Sequence, residues 1–225
     1  VPLDSVSIYV KRVDAPQSAL ALNADTPRNP ASVMKLLTSY AALDLLGPTY
    51  RWKTQFLART IPNQGKLTGG LWVKGVGDPT LNDAALLEVA SELKQKYQLE
   101  EVCCELNIDS TLFPAQPFDA SAFDGKPYRA YNAPAEAVMV NQQALRLQLT
   151  VVNDKVLVIA YPKWKSLTIQ ANVKAVGGEC NDWKSGLQIQ REGQRLDVRG
   201  NFPVTCGNKY LDVNWQNGTE YFSYL

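Results

Sequence analysis

The chain has 225 residues, and its 23 basic side chains nearly balance its 22 acidic ones. That length allows one large domain or two modest ones, and a hydrophobic fraction of 45% is typical of a globular protein. A net charge of +1 gives no electrostatic reason to expect a nucleic acid or an anionic membrane as partner. The absence of histidine excludes a Ser-His-Asp triad, a Cys-His dyad and an HExxH metal site. The base of any nucleophilic chemistry must therefore be a lysine, a tyrosine or a carboxylate.

The first quarter of the chain predicts a hairpin followed by a helix. Alternating β-branched residues over 6–13 and a second run over 19–22 indicate two strands joined by a turn. Apolar residues spaced three and four apart predict a helix over 31–46, which Gly47-Pro48 ends.

The remainder of the chain predicts mostly strands. One amphipathic helix is expected over 84–97, the segment 113–134 reads as a long loop, and Asn217-Gly218 predicts a turn. The predicted strands, in chain order, are 53–58, 66–74, 101–108, 145–152, 156–160, 167–173, 187–191 and 195–199. The fold class is therefore α+β, with at least two modules.

Neither end of the chain predicts a membrane segment. No run approaches the roughly 18 apolar residues of a transmembrane helix, and the N-terminus lacks the basic and apolar regions of a signal peptide. This fits a cytosolic protein or an exported one that has already been processed.

Four cysteines occur, and none forms the CxxC pair of a zinc site. Cys180 and Cys206 either form a disulfide between neighbouring strands or remain two buried thiols. Cys103 and Cys104 lie in a strand-like run, so we expect their side chains on opposite faces, where a vicinal disulfide would be strained.

Ser32 and Lys35 are the most informative positions, because they stand three residues apart at the start of a predicted helix. That spacing puts both on one helix face, where the lysine amine reaches the serine hydroxyl. Free N–H groups and the positive dipole end of the helix stabilise a developing oxyanion. The same field, with burial, disfavours the charged form of the lysine, as a lysine base requires. A plain helix-start serine is the alternative.

A second S-x-x-K, Ser91 to Lys94, lies inside the polar helix and reads as a solvated face. Gly75-Val76-Gly77 lacks the third glycine of a dinucleotide fingerprint and reads as a turn. We therefore expect no cofactor and no metal.

Several runs carry a family resemblance in the same order along the chain. They are NADTPRNPASVMKLLTSYAALDLLGPTYRWKT, GLWVKGVGDPTL, FDGKPYRAYNAPAEAVMVN and the spaced Cys180 and Cys206. Together they resemble class C low-molecular-mass penicillin-binding proteins, the D-alanyl-D-alanine carboxypeptidase/endopeptidases of the penicillin-binding protein 4 type.

The resemblance implies the N-terminal part of a penicillin-recognising transpeptidase domain with mostly β accessory domains inserted after the S-x-x-K helix. Residues 1–56 would begin the transpeptidase domain, and 57–208 would be the inserted region, with one or two subdomains. Residues 209–225 would lead back toward the transpeptidase domain.

The resemblance also implies a chemistry. Ser32 would attack the bond between the last two D-alanines of a peptidoglycan stem peptide, and Lys35 would accept its proton. The Ser32 N–H would donate to the oxyanion, water would release the acyl-serine, and β-lactams would trap the same serine. Asp124 would recognise the amino group of a diamino acid in the stem, unless it only forms a turn before Gly125. Such an enzyme would be periplasmic, with its signal peptide removed.

The chain departs from the family pattern in one respect. No S-x-N triplet occurs, and the K-T-G-like Lys184-Ser185-Gly186 lies inside the inserted region. We therefore expect these 225 residues alone to acylate poorly or not at all. The alternatives are a non-catalytic peptidoglycan-binding or scaffold module and a β-lactamase-type serine hydrolase, although the strand-rich insertion argues against the latter.

Overall fold

The computed structural model describes residues 1–114 and 116–225, which form two compact units, Val1–Arg51 and Trp52–Leu225. The division falls between residues 51 and 52, a few positions before the expected boundary at 56. The mixture of sheets and a few helices confirms the predicted α+β fold class.

The first unit contains the expected hairpin and helix. Strands β1 (Ile8–Lys11) and β2 (Ser18–Leu22) pair antiparallel. A 3₁₀ turn, Ala31–Val33, runs directly into helix α1 (Met34–Leu46), so the predicted helix begins with a tighter turn, as helix N-termini often do. Gly47 ends α1 at a φ of 78°, which glycine adopts without steric cost.

Two small sheets open the second unit. The three-stranded sheet has the order β3 (Gln55–Leu57), β5 (Leu71–Lys74), β7 (Leu106–Asp109), and β4 (Lys66–Leu67) pairs parallel with β6 (Glu101–Val102). The predicted strand 66–74 is interrupted at Gly69 and Gly70, whose φ values are 100° and 85°. The amphipathic helix is α2 (Asp83–Tyr97), capped by the Asn82 side chain.

A six-stranded sheet makes up most of the second unit. Its strands are β8 (Ala144–Val152), β9 (Lys155–Tyr161), β10 (Thr168–Val176), β11 (Leu187–Glu192), β12 (Arg195–Pro203) and β13 (Asn208–Asn214). Their spatial order is β11-β12-β10-β9-β8-β13, and only β10 and β12 run parallel among the described strands of this sheet. Alternate residues Leu145, Leu147 and Leu149 of β8 are fully buried, as a strand with one core-facing side requires.

The C-terminal segment packs into the core of this unit. Helix α3 (Gly218–Ser223) buries Tyr221 and Phe222. The Trp164 ring meets Trp215 and Tyr221 edge to face, with centroids 4.7 and 4.9 Å apart. Such pairs contribute about 0.5–1.5 kcal/mol each beyond burial. Residues 209–225 complete the sheet and core of this unit, because β13 buries an alternating apolar face against β8. Their expected return toward the transpeptidase domain stays a prediction.

A disulfide joins Cys180 and Cys206. Cys180 follows β10 and Cys206 follows β12, and parallel strands end at the same edge of a sheet. The two cysteines therefore lie in loops beyond neighbouring strands. The remaining 3₁₀ turns are Leu3–Ser5, Ala130–Asn132, Asn141–Gln143 and Val204–Cys206. Among the described residues, no helix is long and apolar enough to cross a membrane.

Candidate active site

The structure brings the side chains of Ser32 and Lys35 together. Lys35 Nζ donates a hydrogen bond to Ser32 Oγ at 2.9 Å. Ser32 lies in the 3₁₀ turn and Lys35 in the first turn of α1, so the two share one helical face. This is the contact that proton transfer between a hydroxyl and an amine needs.

The backbone in front of Ser32 is bent in an unusual way. Ala31 has a φ of 41°, a region that residues with a side chain adopt at a cost in energy. The Asn29 side-chain oxygen accepts a hydrogen bond from the Ala31 N–H at 2.9 Å, which holds this bend. In the 3₁₀ turn itself, the Val33 N–H donates to the Pro30 carbonyl oxygen at 2.8 Å. Among the described residues, the Ser32 N–H has no hydrogen-bond acceptor, so this group is available to an oxyanion.

Both side chains of the pair are exposed in the structure. The burial expected around Lys35 is therefore not supplied by the described residues. The helix that carries Lys35 is exposed as well. α1 buries none of its side chains, and its large apolar residues Leu36 and Tyr40 are 73% and 70% exposed. A helix this apolar is normally covered on one face.

Asp124 occupies a polar turn in the second unit. Its carboxylate accepts hydrogen bonds from Tyr131 Oη at 2.6 Å, Asn132 Nδ2 at 2.9 Å and the Lys126 N–H at 3.1 Å. The Tyr131 hydrogen bond is the largest cause that lowers the pKa of Asp124, and those of Asn132 and Lys126 add to it. Asp124 is thus an exposed carboxylate that stays ionised at neutral pH. Asp124 therefore both forms the turn before Gly125 and presents a charged carboxylate to solvent.

Sequence reasoning missed the two side chains that hold Asp124. Tyr131 and Asn132 follow it by seven and eight residues in the same run, FDGKPYRAYN. Polar residues close behind a carboxylate in a loop are candidate donors to it, because a loop can fold back on itself. No periodic pattern, however, says which of these residues the fold of the loop brings to the carboxylate.

The other S-x-x-K and K-T-G-like triplets are in different settings. Ser91 on α2 accepts a hydrogen bond from Gln95 Nε2 at 3.0 Å. Ser185 donates to the Asp182 carbonyl at 2.8 Å in the turn before β11. Both serines serve local surface structure.

A model of the D-Ala-D-Ala carboxypeptidase 3 (S13) family matches residues 2–225. The chain belongs to this family. The predicted kinship with penicillin-binding proteins of the 4 type is thereby confirmed.

Two curated relatives are similar to parts of the chain. The D-alanyl-D-alanine carboxypeptidase of Actinomadura sp. (strain R39) is 34% identical over 112 residues, which are 49% of this chain and 20% of that protein. The D-alanyl-D-alanine carboxypeptidase DacB of Haemophilus influenzae is 24% identical over 145 residues, which are 64% of this chain and 30% of that protein. The chain therefore spans less than a third of either relative in these matches.

The fold of the S13 chain resembles that of solved structures. Penicillin binding protein 4 (dacB) from Haemophilus influenzae superposes with a TM-score of 0.74 at 21% identity, over 96% of this chain and 48% of that one. The same protein complexed with a novel beta-lactam gives a TM-score of 0.64, over 96% and 46%. The chain corresponds to about half the length of these structures.

Proposed function

We propose that this S13 chain carries the nucleophile and the base of a serine-type D-Ala-D-Ala carboxypeptidase/endopeptidase acting on peptidoglycan stem peptides. Ser32 is the nucleophile and Lys35 the base. The observation that carries the proposal is the 2.9 Å hydrogen bond between Lys35 Nζ and Ser32 Oγ. Family membership supports the substrate class, since the family is described as D-Ala-D-Ala carboxypeptidase.

The proposed reaction proceeds through an acyl-serine. A neutral Lys35 amine accepts the Ser32 hydroxyl proton as Oγ bonds to the carbonyl carbon of the penultimate D-alanine. The Ser32 N–H donates to the oxyanion that forms. The terminal D-alanine leaves when its nitrogen takes up the proton, and water then hydrolyses the ester to regenerate the hydroxyl.

β-Lactams are proposed to acylate the same serine, because opening the lactam ring gives a similar ester. A structure of the Haemophilus influenzae relative is described as complexed with a novel beta-lactam, which supports this part of the proposal. The ring-opened product stays attached as its own leaving group, so it occupies the site longer than D-alanine does.

Asp124 is proposed to recognise the free amino group of a diamino acid in the stem peptide. Its lowered pKa keeps it charged, and a carboxylate offers about four acceptor positions, of which three are used by its own turn. An exported, periplasmic location is proposed from the family and from the Cys180–Cys206 bridge, since disulfides persist in oxidising compartments.

The 225 residues by themselves are proposed to acylate poorly, because their sequence contains neither an S-x-N nor a K-T-G triplet. The test uses a fluorescent penicillin on the complete gene product and on these 225 residues. We expect covalent label on Ser32 in the complete product, loss of label in Ser32→Ala, and full labelling in the matched control Ser91→Ala. Label retained by Ser32→Ala would contradict the assignment.

The same experiment separates the two alternative functions. A non-catalytic peptidoglycan-binding module would bind sacculi equally well with and without Ser32→Ala, and would take up no penicillin label. A β-lactamase-type hydrolase would label only transiently and would release the opened lactam with many turnovers. Stable labelling together with release of D-alanine from a stem pentapeptide is the result expected here.

A further inference from the structure

Cys103 and Cys104 lie with their sulfur atoms 3.5 Å apart, and both are exposed. A continuous strand would have put the two side chains on opposite faces, as the sequence predicted. The structure corrects this, because β6 ends at Val102 and β7 begins only at Leu106. The intervening bend lets neighbouring side chains approach each other.

The two sulfur atoms have different surroundings. Cys103 Sγ donates to the Leu67 carbonyl oxygen at 3.1 Å, which holds it as a thiol. Cys104 Sγ lies near the backbone N–H groups of Gly69 and Gly70. The Gly69 N–H is the largest cause that lowers the pKa of Cys104, while the contact with Cys104 is the largest cause that raises the pKa of Cys103.

The Gly69-Gly70 turn explains this asymmetry. Two successive positive φ values, 100° and 85°, give this turn a backbone conformation that only glycine adopts readily. A Cβ on Gly70 would lie 2.9 Å from the Glu105 carbonyl oxygen, so the turn also lies close against the segment that follows Cys104. Cys104 therefore lies beside a turn that is itself packed against the Glu105 backbone.

We propose that Cys103 and Cys104 form a thiol–disulfide exchange site for reactive disulfides, with Cys104 as the attacking sulfur and Cys103 as the resolving one. An exposed, stabilised thiolate beside a second thiol is the arrangement of reversible redox cysteines. The site lies in the second unit and does not depend on the proposed peptidase chemistry.

The exchange balances in two displacements. The Cys104 thiolate attacks one sulfur of an external disulfide, forms a mixed disulfide and expels the other sulfur as a thiolate. Cys103 then gives up its proton, attacks Cys104 Sγ and expels the remaining half of the oxidant. Two protein thiols are oxidised to one vicinal disulfide, and the external disulfide is reduced to two thiols.

The bridge between Cys180 and Cys206 serves as an internal control for selective reduction of the exposed pair. Cys206 is only 7% exposed and Cys180 is partly buried, so external thiols reach this bridge less readily than they reach Cys103 and Cys104. Mild reduction in the absence of denaturant is therefore expected to keep the exposed pair as thiols and to leave the bridge intact, which peptide mapping verifies.

The test incubates the mildly reduced, folded chain with oxidised glutathione, quenches by alkylation and follows intact mass and peptide maps over time. We expect the unmodified protein to lose two hydrogens without retaining glutathione. Cys103→Ser should accumulate a stable glutathione adduct on Cys104, and Cys104→Ser should react at least about tenfold more slowly. A glutathione adduct that persists in the unmodified protein would overturn the resolving role. Equal rates for the two serine variants would overturn the attacking role of Cys104.

Discussion

The Arg191 guanidinium stacks on the indole ring of Trp215, with its central carbon 3.8 Å from the ring centroid. The same guanidinium donates to the Trp215 carbonyl and to the Glu220 carboxylate. One side chain on the edge strand β11 thus contacts both the residue after β13 and the first turn of α3. The C-terminal segment is held to the far edge of the sheet by a charge as well as by apolar packing.

Replacing Arg191 with alanine should lower the free energy of unfolding by about 2–3 kcal/mol, because Glu220 is then left partly buried without its partner. The two side chains are only 15% and 27% exposed. Urea denaturation followed by tryptophan fluorescence measures the change. The control is Arg146→Ala, which breaks the exposed pair with Asp212 and should cost less than about 1 kcal/mol. Equal losses in the two variants would contradict the role given to Arg191.

The proposed base is tested by Lys35→Arg in the complete gene product. The substitution keeps a positive charge beside Ser32 but removes the ability to accept a proton, since guanidinium does not deprotonate in proteins. We expect acylation by penicillin to slow by about 10²–10⁴-fold with the fold intact by circular dichroism. Lys94→Arg, in the second S-x-x-K, is the matched control and should acylate at the wild-type rate. A Lys35→Arg variant as fast as this control would exclude Lys35 as the base.

Glu136 should make stability depend on pH. Burial raises the pKa of Glu136 above 4.5, against the opposing hydrogen bonds from the Gly218 and Thr219 N–H groups. The folded state therefore binds the proton more tightly than the unfolded chain. As pH rises from 4.5 through the folded-state pKa, the protein loses stability at this position. Denaturation midpoints of Glu136→Gln should rise relative to wild type over that pH interval.

Asp124 provides the opposite control for this measurement. Its pKa is lowered from 3.8, chiefly by the Tyr131 hydroxyl, so its contribution is present above that pH and is lost as pH falls. The stability of Asp124→Asn should therefore approach that of the wild type as pH falls below 3.8. The same sign of pH dependence for both variants would show that the environment assigned to Glu136 is wrong.

Removing the disulfide should destabilise the protein substantially. The bridge closes a loop with a sequence separation of 26, for which the chain-entropy model gives about 3–4 kcal/mol. Cys180→Ala combined with Cys206→Ala should lower the urea midpoint accordingly, and added reductant should not lower it further. Cys103→Ser with Cys104→Ser, both at exposed positions, should leave the midpoint close to that of the wild type.

Much of the fold could be predicted from residue patterns. Strand β1 and helix α1 lie within the predicted segments, and β2, α2 and strands β8 to β12 overlap theirs but extend beyond them by one to four residues. Alternating or helically spaced apolar residues mark a half-buried element directly, whereas its ends are less clearly marked. The predicted strand 66–74 failed only at Gly69-Gly70, where the backbone adopts conformations that end pairing.

The C-terminal elements were not predicted. Strand β13 (NKYLDVN) has only two aliphatic residues, Leu211 and Val213, and Lys209 stands at the alternate position before them, which weakens the apolar alternation. The Asn217-Gly218 pair read as a turn, but the Asn217 side chain accepts from the Glu220 N–H at 2.8 Å and caps α3. Asparagine serves both turns and helix caps, and only burial of Tyr221 and Phe222 decides between them.

The candidate site likewise has a part that the sequence could predict and a part that it could not. A spacing of three residues was enough to place Ser32 beside Lys35, because helical geometry fixes that distance locally. The partners of Asp124 and the approach of Cys103 to Cys104 depend on where a loop bends, which no periodicity encodes. Sequence alone therefore located the proposed catalytic pair and left the surroundings of the loop residues open.

The Cys180–Cys206 bridge encloses the hairpin of β11 and β12 in a covalent ring. Edge strands such as β11 are where one molecule can exchange a segment with another copy of itself. A strand inside a closed ring has no free end to thread into a neighbour. Self-association by strand exchange at this edge therefore requires that the ring be opened by reduction first.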